Sequence, residues 1–457
     1  MSVSIVWFRQ DLRLADNPAL QAALQRGGAI VPVHIDSADE DGGWPDGAAA
    51  RWWRRANLQS LGAALRARGS RLVCTRGPAL QTLRRLAGEC GADAVFWNRR
   101  YEPASVARDR AVKSALRDAG MLAESRNGSL LLEPWDIANQ SGRPFLVFTP
   151  FWKQWLQRVP AQAPAPAPAR VPAPERWPDG LELEDLYPTP RPPWHRSIDA
   201  HWQAGEGAAQ ARLEQFVSTG LDAYRDARDR PAVAGTSRLS PYLHAGVMSP
   251  RQVWHAVGEA ESARGRHEAE WRAHKYLAEL AWREFAHHLL HHHPRLAEEP
   301  LREEFAGFPW RDDPAALQAW QRGRTGFPLV DAGMRELWST GWMHNRARMV
   351  TASFLVKNLR LHWLHGARWF WDTLIDADLA NNTLGWQWTA GCGADAAPFF
   401  RIFNPQSQAQ KFDPDGAYVR RWVPEAATAA YPPPIVELAA SRAAALSAFR
   451  TLRTARD

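Results

Sequence analysis

At 457 residues, the chain is long enough for two or three domains with substantial hydrophobic cores. Its composition is that of a globular protein, with 45% hydrophobic and 23% charged residues, and no stretch approaches the roughly 18 consecutive apolar residues of a membrane-spanning helix. The formal net charge of +7 suits a polyanionic partner, but 51 arginines against 5 lysines are also typical of GC-rich coding, so charge alone leaves a nucleic-acid partner open.

The cysteines and the N-terminus indicate the compartment. Cys74, Cys90 and Cys392 lack metal-ligand spacing and cannot all pair with one another, which is typical of a reducing environment. The N-terminal apolar run meets charges as early as Arg9 and Asp11, which is a poor pattern for a signal peptide. We therefore expect a cytoplasmic protein that does not associate with membranes.

The first third of the chain alternates apolar runs with helical patterns. Four runs predict buried strands: residues 4–8, 29–35, 70–75 and 92–97. Helical patterns lie near residues 50–68, 78–88 and 103–119, and an earlier helix opens in DNPAL with Asp16 or Asn17 as its cap. This alternation predicts a mostly parallel, Rossmann-like sheet. The sequence has neither GxGxxG nor GxxxxGK[ST], so a standard dinucleotide or NTP site is not supported here.

The rest of the chain divides at a proline-rich segment. VPAQAPAPAPARVPAPERWP, from Val159, favours extended polyproline II and predicts a semi-rigid linker. After about residue 200 helices dominate, with long patterns at residues 268–293 and 344–364. We predict an α/β domain over residues 1–132, an interdomain connection over residues 133–200 and an all-α domain over residues 201–457.

Two helical patterns carry polar groups beside aromatic or sulfur side chains. Glu279, Trp282 and Arg283 have i, i+3 and i+4 spacing and therefore share one helix face. Asn345, Arg348 and Met349 repeat that spacing on the second long pattern. Such faces suit a flat polar ligand such as a base, but ordinary core packing with a surface ion pair also explains either helix alone.

Two further segments could bind polar groups. GTSRLSPYL at residues 235–243 offers hydroxyls and backbone N–H groups at a helix start, which suits a phosphate or simply caps the helix. In DADLANN, Asp376 and Asp378 can hold sugar or ribityl hydroxyls, pair with an arginine such as Arg348, or lie solvated in a loop.

In HHLLHHH, His287 and His291 have the i, i+4 spacing of a metal site, but there is no HExxH motif and no Cys partner. We therefore expect no metal and explain the run as a helix end that favours cationic side chains.

The segment NNTLGWQWTAGCGAD, residues 381–395, concentrates indole and amide groups within a glycine-rich frame. It fits neither an amphipathic helix nor a half-buried strand well. We expect a short turn there.

Ten motifs follow one another in order between residues 4 and 405. They are SIVWFRQDLRLADNPAL, WNRRYEP, GTSRLSPYL, WREF, TGFPLVDAGMREL, GWMHNRARM, SFLVKNL, DADLANN, WQW and FRIFNP. No single motif is decisive, but the ordered set is highly specific. The chain closely resembles the DNA photolyase/cryptochrome flavoproteins, most of all the bacterial cyclobutane pyrimidine dimer photolyases. The resemblance implies an antenna-type α/β domain joined to a helical catalytic domain that holds folded FAD.

The resemblance also implies which residues bind FAD. The residues implied to bind the phosphates and the ribityl chain of FAD are Tyr224, Thr236, Ser237, Arg238, Leu239 and Ser240. The rest of the cofactor is lined by Arg283, Asn345, Arg348, Asp376 and Asp378. Asn382 falls where a side chain faces flavin N5, and an amide there bonds the flavin without a competing negative charge. Plant cryptochromes carry Asp at that position.

The tryptophans acquire roles from the same resemblance. Trp386 would lie against the flavin and pass it an electron, relayed through Trp363 from Trp310 near the surface. Closely spaced indoles suit this role because their radical cations are accessible and charge can move in short steps. Trp388, two residues further on, would instead face the substrate with Trp282.

The implied reaction is the light-driven splitting of a cyclobutane pyrimidine dimer in UV-damaged DNA, catalysed by a carbon–carbon lyase that takes the lesion out of the duplex. Glu279 would stabilise the flipped bases by hydrogen bonding. Trp282 and Trp388 would stack on the dimer, while Asn345 and Met349 would lie beside it. The flanking phosphates would be bound by Arg228 and Arg346.

Two positions bear on the substrate. Enzymes that repair the (6-4) photoproduct carry histidines where this chain has Asn345 and Met349, so GWMHNRARM favours the cyclobutane dimer. The alternative is a cryptochrome-type blue-light sensor without repair activity, which the repair-type residues and the short segment after FRIFNP disfavour. We expect a monomer with no obligate protein partner.

A second, antenna chromophore stays open. Folate-binding bacterial relatives often carry Asn-Glu shortly after the YE of WNRRYEP, whereas this chain has Ala104 and Ser105. That difference argues against the usual folate mode and leaves a different folate arrangement or a deazaflavin open.

Overall fold

In the computed structural model, residues 2–396 and 400–454 are described, and the chain forms two compact units. Unit 1 comprises Met1–Ala138, Trp152–Ser218 and Arg238–Glu284. Unit 2 comprises Asn139–Phe151, Thr219–Ser237 and Phe285–Asp457.

Unit 1 contains a five-stranded sheet in which all neighbours are parallel, in the order β3-β2-β1-β4-β5. The strands are β1 Val3–Phe8, β2 Ala29–Asp36, β3 Val73–Arg76, β4 Ala94–Asn98 and β5 Leu122–Arg126. Strands β1, β2 and β4 are buried along their whole length, because helices cover both faces of a parallel sheet. The Rossmann-like prediction is confirmed. Strand β5 was not predicted, because its sequence LAESR is largely polar and only partly buried.

Four helices accompany these strands: α1 Pro18–Arg26, α2 Ala48–Arg66, α3 Ala79–Cys90 and α4 Pro103–Asp118. Asn17 caps α1, since its side chain accepts a hydrogen bond from the Leu20 N–H at 3.1 Å. The order of the strands reverses between β1 and β4, where open α/β sheets usually offer a crevice. Here that position holds the buried ion pair of Arg9 with Asp109, at 2.7 Å.

The proline-rich segment contains neither helix nor strand between residues 159 and 182, as predicted. It is hydrogen-bonded to unit 1 along its length. The Ala165 carbonyl accepts from the Asp16 N–H at 2.8 Å, and the Pro172 carbonyl accepts from the Ile30 N–H at 2.8 Å. The segment therefore lies along the α/β unit.

The remainder is mostly helical, as expected. Its first helices are α5 Phe148–Arg158, α6 Leu183–Leu186, α7 His195–Asp199, α8 Glu206–Thr219, α9 Tyr224–Ala227, α10 Ser240–Ala245, α11 Pro250–Ala263 and α12 Glu268–Arg272. They are followed by α13 Lys275–His292, α14 Pro314–Gln321, α15 Pro328–Thr340, α16 Asn345–Ser353, α17 Trp363–Thr373, α18 Leu379–Ala390, α19 Pro405–Phe412, α20 Ala417–Trp422 and α21 Leu438–Thr454. Across the described residues, no helix has the length and apolarity needed to cross a membrane.

Both long helical patterns are divided in the structure. Residues 268–293 form α12 and α13, and α13 begins in unit 1 and continues into unit 2. Residues 344–364 form α16, a π-helical turn over Phe354–Asn358, and the start of α17. A left-handed residue, Arg360 with φ 54°, ends the helical path between them.

The prediction of a short turn for NNTLGWQWTAGCGAD is wrong. Most of this segment belongs to α18, which Asp378 caps and Gly391 ends with φ 92°. Eight of the twelve residues of α18 are buried. A helix that is covered on most sides has no single apolar face, so its sequence carries no amphipathic pattern.

Candidate functional site

Helix α18 is the centre of the candidate site in unit 2. Asp378 fixes its start, because one carboxylate oxygen accepts from the Asn381 N–H at 2.8 Å. Gln387 fixes its C-terminal half: its Nε2 donates to the Leu296 and Glu299 carbonyls, both at 2.7 Å. The polar side chains of α18 are therefore held by defined hydrogen bonds.

Arg348 and Asp376 form a bidentate pair beside the start of α18. One guanidinium nitrogen donates to both oxygens of Asp376, at 2.8 and 3.1 Å, and Arg348 Nε donates to the Met343 carbonyl at 2.8 Å. The Asp376 side chain is only 2% exposed, so the arginine compensates a buried charge. Of the three alternatives left open for the aspartates of DADLANN, the structure shows pairing with Arg348 for Asp376.

His287 lies close to Asp378, with Nε2 and Oδ2 3.4 Å apart. His287 is buried in the interior of α13, so the helix-end explanation of HHLLHHH does not apply to it. No sequence pattern indicated this pairing, because the two residues are 91 positions apart. In the part of the chain that the structure describes, no group of three or more His, Cys, Asp or Glu side chains could hold a metal ion.

Asn382 is oriented by the backbone of α17. Its Nδ2 donates to the Ala367 carbonyl at 3.0 Å, which leaves Oδ1 as the available acceptor. An aspartate at this position could donate to that carbonyl only when protonated. The local structure therefore favours the amide over a carboxylate, in line with the difference from plant cryptochromes noted above.

Trp386 is buried where α18 crosses α17. Its ring lies so close to Gly366 that a Cβ there would overlap it, and only glycine allows this approach. The ring of Phe370 is 5.0 Å away and that of Trp320 is 6.1 Å away. Trp320 was not among the predicted site residues, and nothing in its sequence context separates it from a core tryptophan.

Trp363 and Trp310 both lie close to the ring of His362. The imidazole centroid is 5.2 Å from the Trp310 ring and 5.8 Å from the Trp363 ring. Burial lowers the pKa of His362, with a smaller contribution from His365, so the ring is neutral near pH 7. The structure thus places a neutral aromatic ring close to both of the outer tryptophans of the predicted relay.

Lys357 lies at the C-terminal end of α18 and was missed in the sequence. Its Nζ donates to the Ala390 carbonyl at 2.6 Å and lies 3.1 Å from the centroid of the Phe400 ring. Burial holds the pKa of Lys357 well below its usual range. A lysine here satisfies one of the last carbonyls of the helix.

The α13 residues predicted to face the substrate lie in unit 1. Glu279 pairs with Lys275 at 3.8 Å. This is the surface ion pair expected if the helix face has only a packing role and binds no ligand. Arg283 donates to the Ser129 carbonyl at 2.7 Å, and Trp282 is half-buried. One helix carries all three predicted residues, as their spacing indicated.

The remaining lesion residues lie in unit 2. Asn345 and Met349 are neighbours on α16, with Nδ2 and Sδ 3.9 Å apart. Trp388 is half-buried, and its ring lies 6.5 Å from Phe403 and beneath the Arg401 guanidinium at 5.6 Å. The edge of Trp388 is therefore accessible, in contrast to Trp386.

The two predicted phosphate-binding arginines belong to one cluster. Arg346 Nη2 lies 2.8 Å from Asp229, and Arg228 Nε lies 3.9 Å from the same carboxylate oxygen. Arg228 also lies over the ring of Tyr224, which is buried. Asp229 was not singled out in the sequence.

The TSRLS segment spans the division between the units. Thr236 and Ser237 belong to unit 2, while Arg238, Leu239 and Ser240 belong to unit 1. Ser240 begins α10, as the helix start in this motif predicted, and Arg238 has φ 53°.

The predicted residues that unit 2 contains are Tyr224, Arg228, Thr236, Ser237, Trp310, Asn345, Arg346, Arg348, Met349, Trp363, Asp376, Asp378, Asn382, Trp386 and Trp388. Those in unit 1 are Arg238, Leu239, Ser240, Glu279, Trp282 and Arg283.

Two regions of the chain match known protein families. Residues 4–171 match the family described as DNA photolyase, and residues 276–430 match the FAD binding domain of DNA photolyase. The chain is 48% identical to the deoxyribodipyrimidine photo-lyase of Agrobacterium fabrum, over 92% of this chain and 87% of the relative. It is 39% identical to cryptochrome-1 of Arabidopsis thaliana, over 92% of this chain and 63% of that protein.

A solved structure is similar over nearly the whole length. The crystal structure of a bacterial class III photolyase from Agrobacterium tumefaciens superposes with a TM-score of 0.94 at 43% identity, covering 99% of this chain and 98% of the other. The order of motifs, the parallel sheet, the helical unit and these matches agree: the chain belongs to the DNA photolyase/cryptochrome family.

Proposed function

We propose that the protein is a deoxyribodipyrimidine photo-lyase, which uses light to split cyclobutane pyrimidine dimers in UV-damaged DNA. The observation that carries this proposal is the 48% identity to a bacterial photo-lyase over most of both chains. The geometry of α18 supports it, because Asn382 presents an amide oxygen where a signalling relative carries an acid.

The helical region fits FAD. The buried Arg348–Asp376 pair, Asp378 and the Asn382 amide offer hydrogen-bond donors and acceptors that suit the polar edge and ribityl chain of a flavin. When bound, FAD supplies the light-driven electron, and the protein sets binding and electrostatics. We propose that Tyr224, Arg283 and Asn345 complete the cofactor site with the TSRLS segment: Thr236, Ser237, Arg238, Leu239 and Ser240.

The protein's own groups bind and orient the lesion. We propose that Glu279 hydrogen-bonds the flipped bases and that Trp282 and Trp388 stack on them. Asn345 and Met349, adjacent on α16, would pack at the edge of the dimer. Arg228 and Arg346 would bind flanking phosphates, so that binding weakens as salt rises.

Trp386, Trp363 and Trp310 would deliver electrons to the site. The buried Trp386 ring is fixed by its contact with Gly366, and Trp310 is partly exposed, so the series runs from interior to surface. The His362 ring is 5.2 Å from the Trp310 ring and 5.8 Å from the Trp363 ring, so it is a neighbour of both members of the outer pair.

Several further proposals accompany this function. We propose an α/β domain over residues 1–132, a connection over residues 133–200 and a catalytic domain over residues 201–457. We propose that the protein works in the cytoplasm, which agrees with three buried cysteines that form no disulfide. We also propose that it is a monomer without an obligate protein partner. Should a second, antenna chromophore bind, we propose a folate or a deazaflavin.

The test is repair of an ultraviolet-irradiated thymine oligonucleotide by the reduced protein under blue light. We expect restoration of thymine absorbance in light and none in the dark. Glu279→Gln should lower the repair rate about tenfold, because a hydrogen bond to a charged group contributes roughly 1.5 kcal/mol. Glu268→Gln, on the neighbouring helix with a 67% exposed side chain, is the matched control and should repair normally.

Two results would contradict the proposal. If the reduced protein binds the irradiated oligonucleotide but leaves it unrepaired in light, a blue-light sensor of the cryptochrome type is the better assignment. If Glu279→Gln and Glu268→Gln repair equally well, Glu279 has no role at the lesion.

A further inference from the structure

Asp229 lies between the two arginines that we propose as phosphate contacts. One carboxylate oxygen is 2.8 Å from Arg346 and 3.9 Å from Arg228. The arginine side chains are 15% and 17% exposed, whereas Asp229 is 37% exposed. A single acid therefore pairs with both guanidiniums at the rim of unit 2.

The position of Asp229 is set by the backbone around it. The Arg228 N–H donates to the Tyr224 carbonyl and the Arg230 N–H to the Ala227 carbonyl, both at 3.0 Å. Gly235 packs directly against the Ala227 carbonyl, where any Cβ would overlap it. Asp229 is thus presented by a folded loop and would keep its place without the ion pairs.

Arg346 depends on this acid for its orientation. It lies in the first turn of α16, where the helix dipole disfavours a cation. Its guanidinium lies 4.1 Å from the centroid of the Phe412 ring, and its Nε has no hydrogen-bond partner within residues 2–396 and 400–454. The aromatic ring and Asp229 together fix the plane of the guanidinium.

We propose that Asp229 is a positioning residue for damaged DNA, which aligns Arg228 and Arg346 as one phosphate clamp. This inference rests on the proposed function. Non-specific binding follows net positive charge, so the carboxylate lowers affinity for undamaged duplex. Binding at the lesion needs two guanidiniums in fixed places, so the same carboxylate supports it. Asp229 therefore raises the preference for damaged over undamaged DNA.

The test compares Asp229→Asn with Asp226→Asn, which removes the same charge from an exposed position on α9. Fluorescence anisotropy gives the affinity of each holoprotein for a duplex with one thymine dimer and for the undamaged duplex, over a series of salt concentrations. Asp229→Asn should reduce the preference for damaged duplex about two- to fivefold, the range for a partly exposed ion pair. For undamaged duplex, the slope of log affinity against log salt concentration should steepen by up to about 0.9, which corresponds to one additional phosphate contact.

Asp226→Asn should keep the wild-type preference. Asp229→Glu, which keeps the charge but lengthens the side chain, should retain the wild-type salt slope while losing part of the preference. An unchanged preference in Asp229→Asn, or an equal loss in Asp226→Asn, would overturn the inference and leave the proposed function standing. A wild-type protein without any preference for the dimer would overturn the proposed function and the inference with it.

Discussion

The sheet of unit 1 and the surroundings of α18 in unit 2 are buried to a similar degree but with different chemistry. In the sheet, strand residues such as Ile5, Val31 and Val95 are fully buried in an apolar cluster. Around α18, the buried groups include the Asp376 carboxylate and the Lys357 amino group, each with a close polar partner.

This difference shows which region is organised for stability and which for a ligand. Apolar burial stabilises a fold in proportion to the area removed from water. Buried charges cost free energy unless they are paired, and the pairs seldom repay more than that cost. The polar groups around α18 therefore contribute little net stability, and their fixed positions prepare a site for a polar cofactor.

The largest expected effect is on the rate of light-driven FAD reduction, and it should distinguish two buried tryptophans, one from each region. Trp386→Phe should slow light-driven FAD reduction at least about tenfold, equivalent to roughly 1.4 kcal/mol in the barrier, because we propose this ring as the electron donor to the cofactor. Repair by enzyme reduced beforehand should be spared. Absorbance under blue light with an external reductant measures the rate.

Trp97→Phe is the matched control in the sheet. Trp97 is fully buried beside Trp7, and its indole N–H has no hydrogen-bond partner among the described residues, so phenylalanine loses packing alone. Its photoreduction rate should equal that of the wild type. Equal rates in both variants would remove Trp386 from the relay.

The same glycine-to-alanine change should have opposite signs in the two regions. Gly88 in α3 has open space around it, so Gly88→Ala should stabilise the protein by about 0.5–1 kcal/mol through helix propensity. Gly366→Ala in α17 would force a methyl group into the Trp386 ring and should destabilise by about 1–3 kcal/mol.

Urea denaturation followed by circular dichroism measures both glycine variants. The photoreduction rate of Gly366→Ala should also fall, because the shifted ring is Trp386. A stabilising Gly366→Ala would mean that α17 and α18 are not packed as closely as the structure has them.

The last expected effect is on the pH dependence of stability and concerns the buried imidazole of β2. His34 lies between the Phe8 carbonyl at 3.0 Å and the Tyr187 hydroxyl at 2.9 Å, and burial, with a smaller contribution from Arg54, lowers the pKa of His34 to about 3. The unfolded chain takes up this proton near pH 6.5, while the native protein does so only near pH 3. Native stability should therefore fall by up to about 1.4 kcal/mol per pH unit below 6.5.

His34→Gln should flatten this dependence, because the group that titrates is gone. Urea denaturation at pH 7 and at pH 5.5 gives the difference for each protein. A variant that loses as much stability as the wild type between these two pH values would show that other groups cause the loss.

Sequence patterns predicted much of unit 1 because most of its strands and helices carry their own signal. Asn17 and Pro18 mark the start of α1, and the run of residues 4–8 marks β1, since the burial of parallel strands demands continuous apolar residues. The edge strand β5 has a polar sequence and no such signal. The prediction for the α18 segment failed because this helix is covered on most sides. Its sequence therefore lacks the one-sided apolar pattern by which a surface helix is predicted.

The candidate site was predicted through local spacing and through resemblance to a family. The Arg348–Asp376 pair was anticipated, and the roles of the site residues stay predictions. The sequence analysis missed His287, Lys357 and Trp320. Each contacts a site residue that is 33 to 91 positions away along the chain, and no sequence periodicity relates positions so distant.

By itself, the sequence determined the alternation that makes a parallel sheet, the extended proline-rich segment, the helical character of the second half and the membership of a family. These follow from local propensity, apolar periodicity and ordered motifs, all of which act along the chain. Only the tertiary structure decided that Asp378 meets His287, that Trp386 requires Gly366 and that Asp229 joins Arg228 to Arg346. Those contacts depend on how separate helices pack, and the packing is set by many weak interactions acting together.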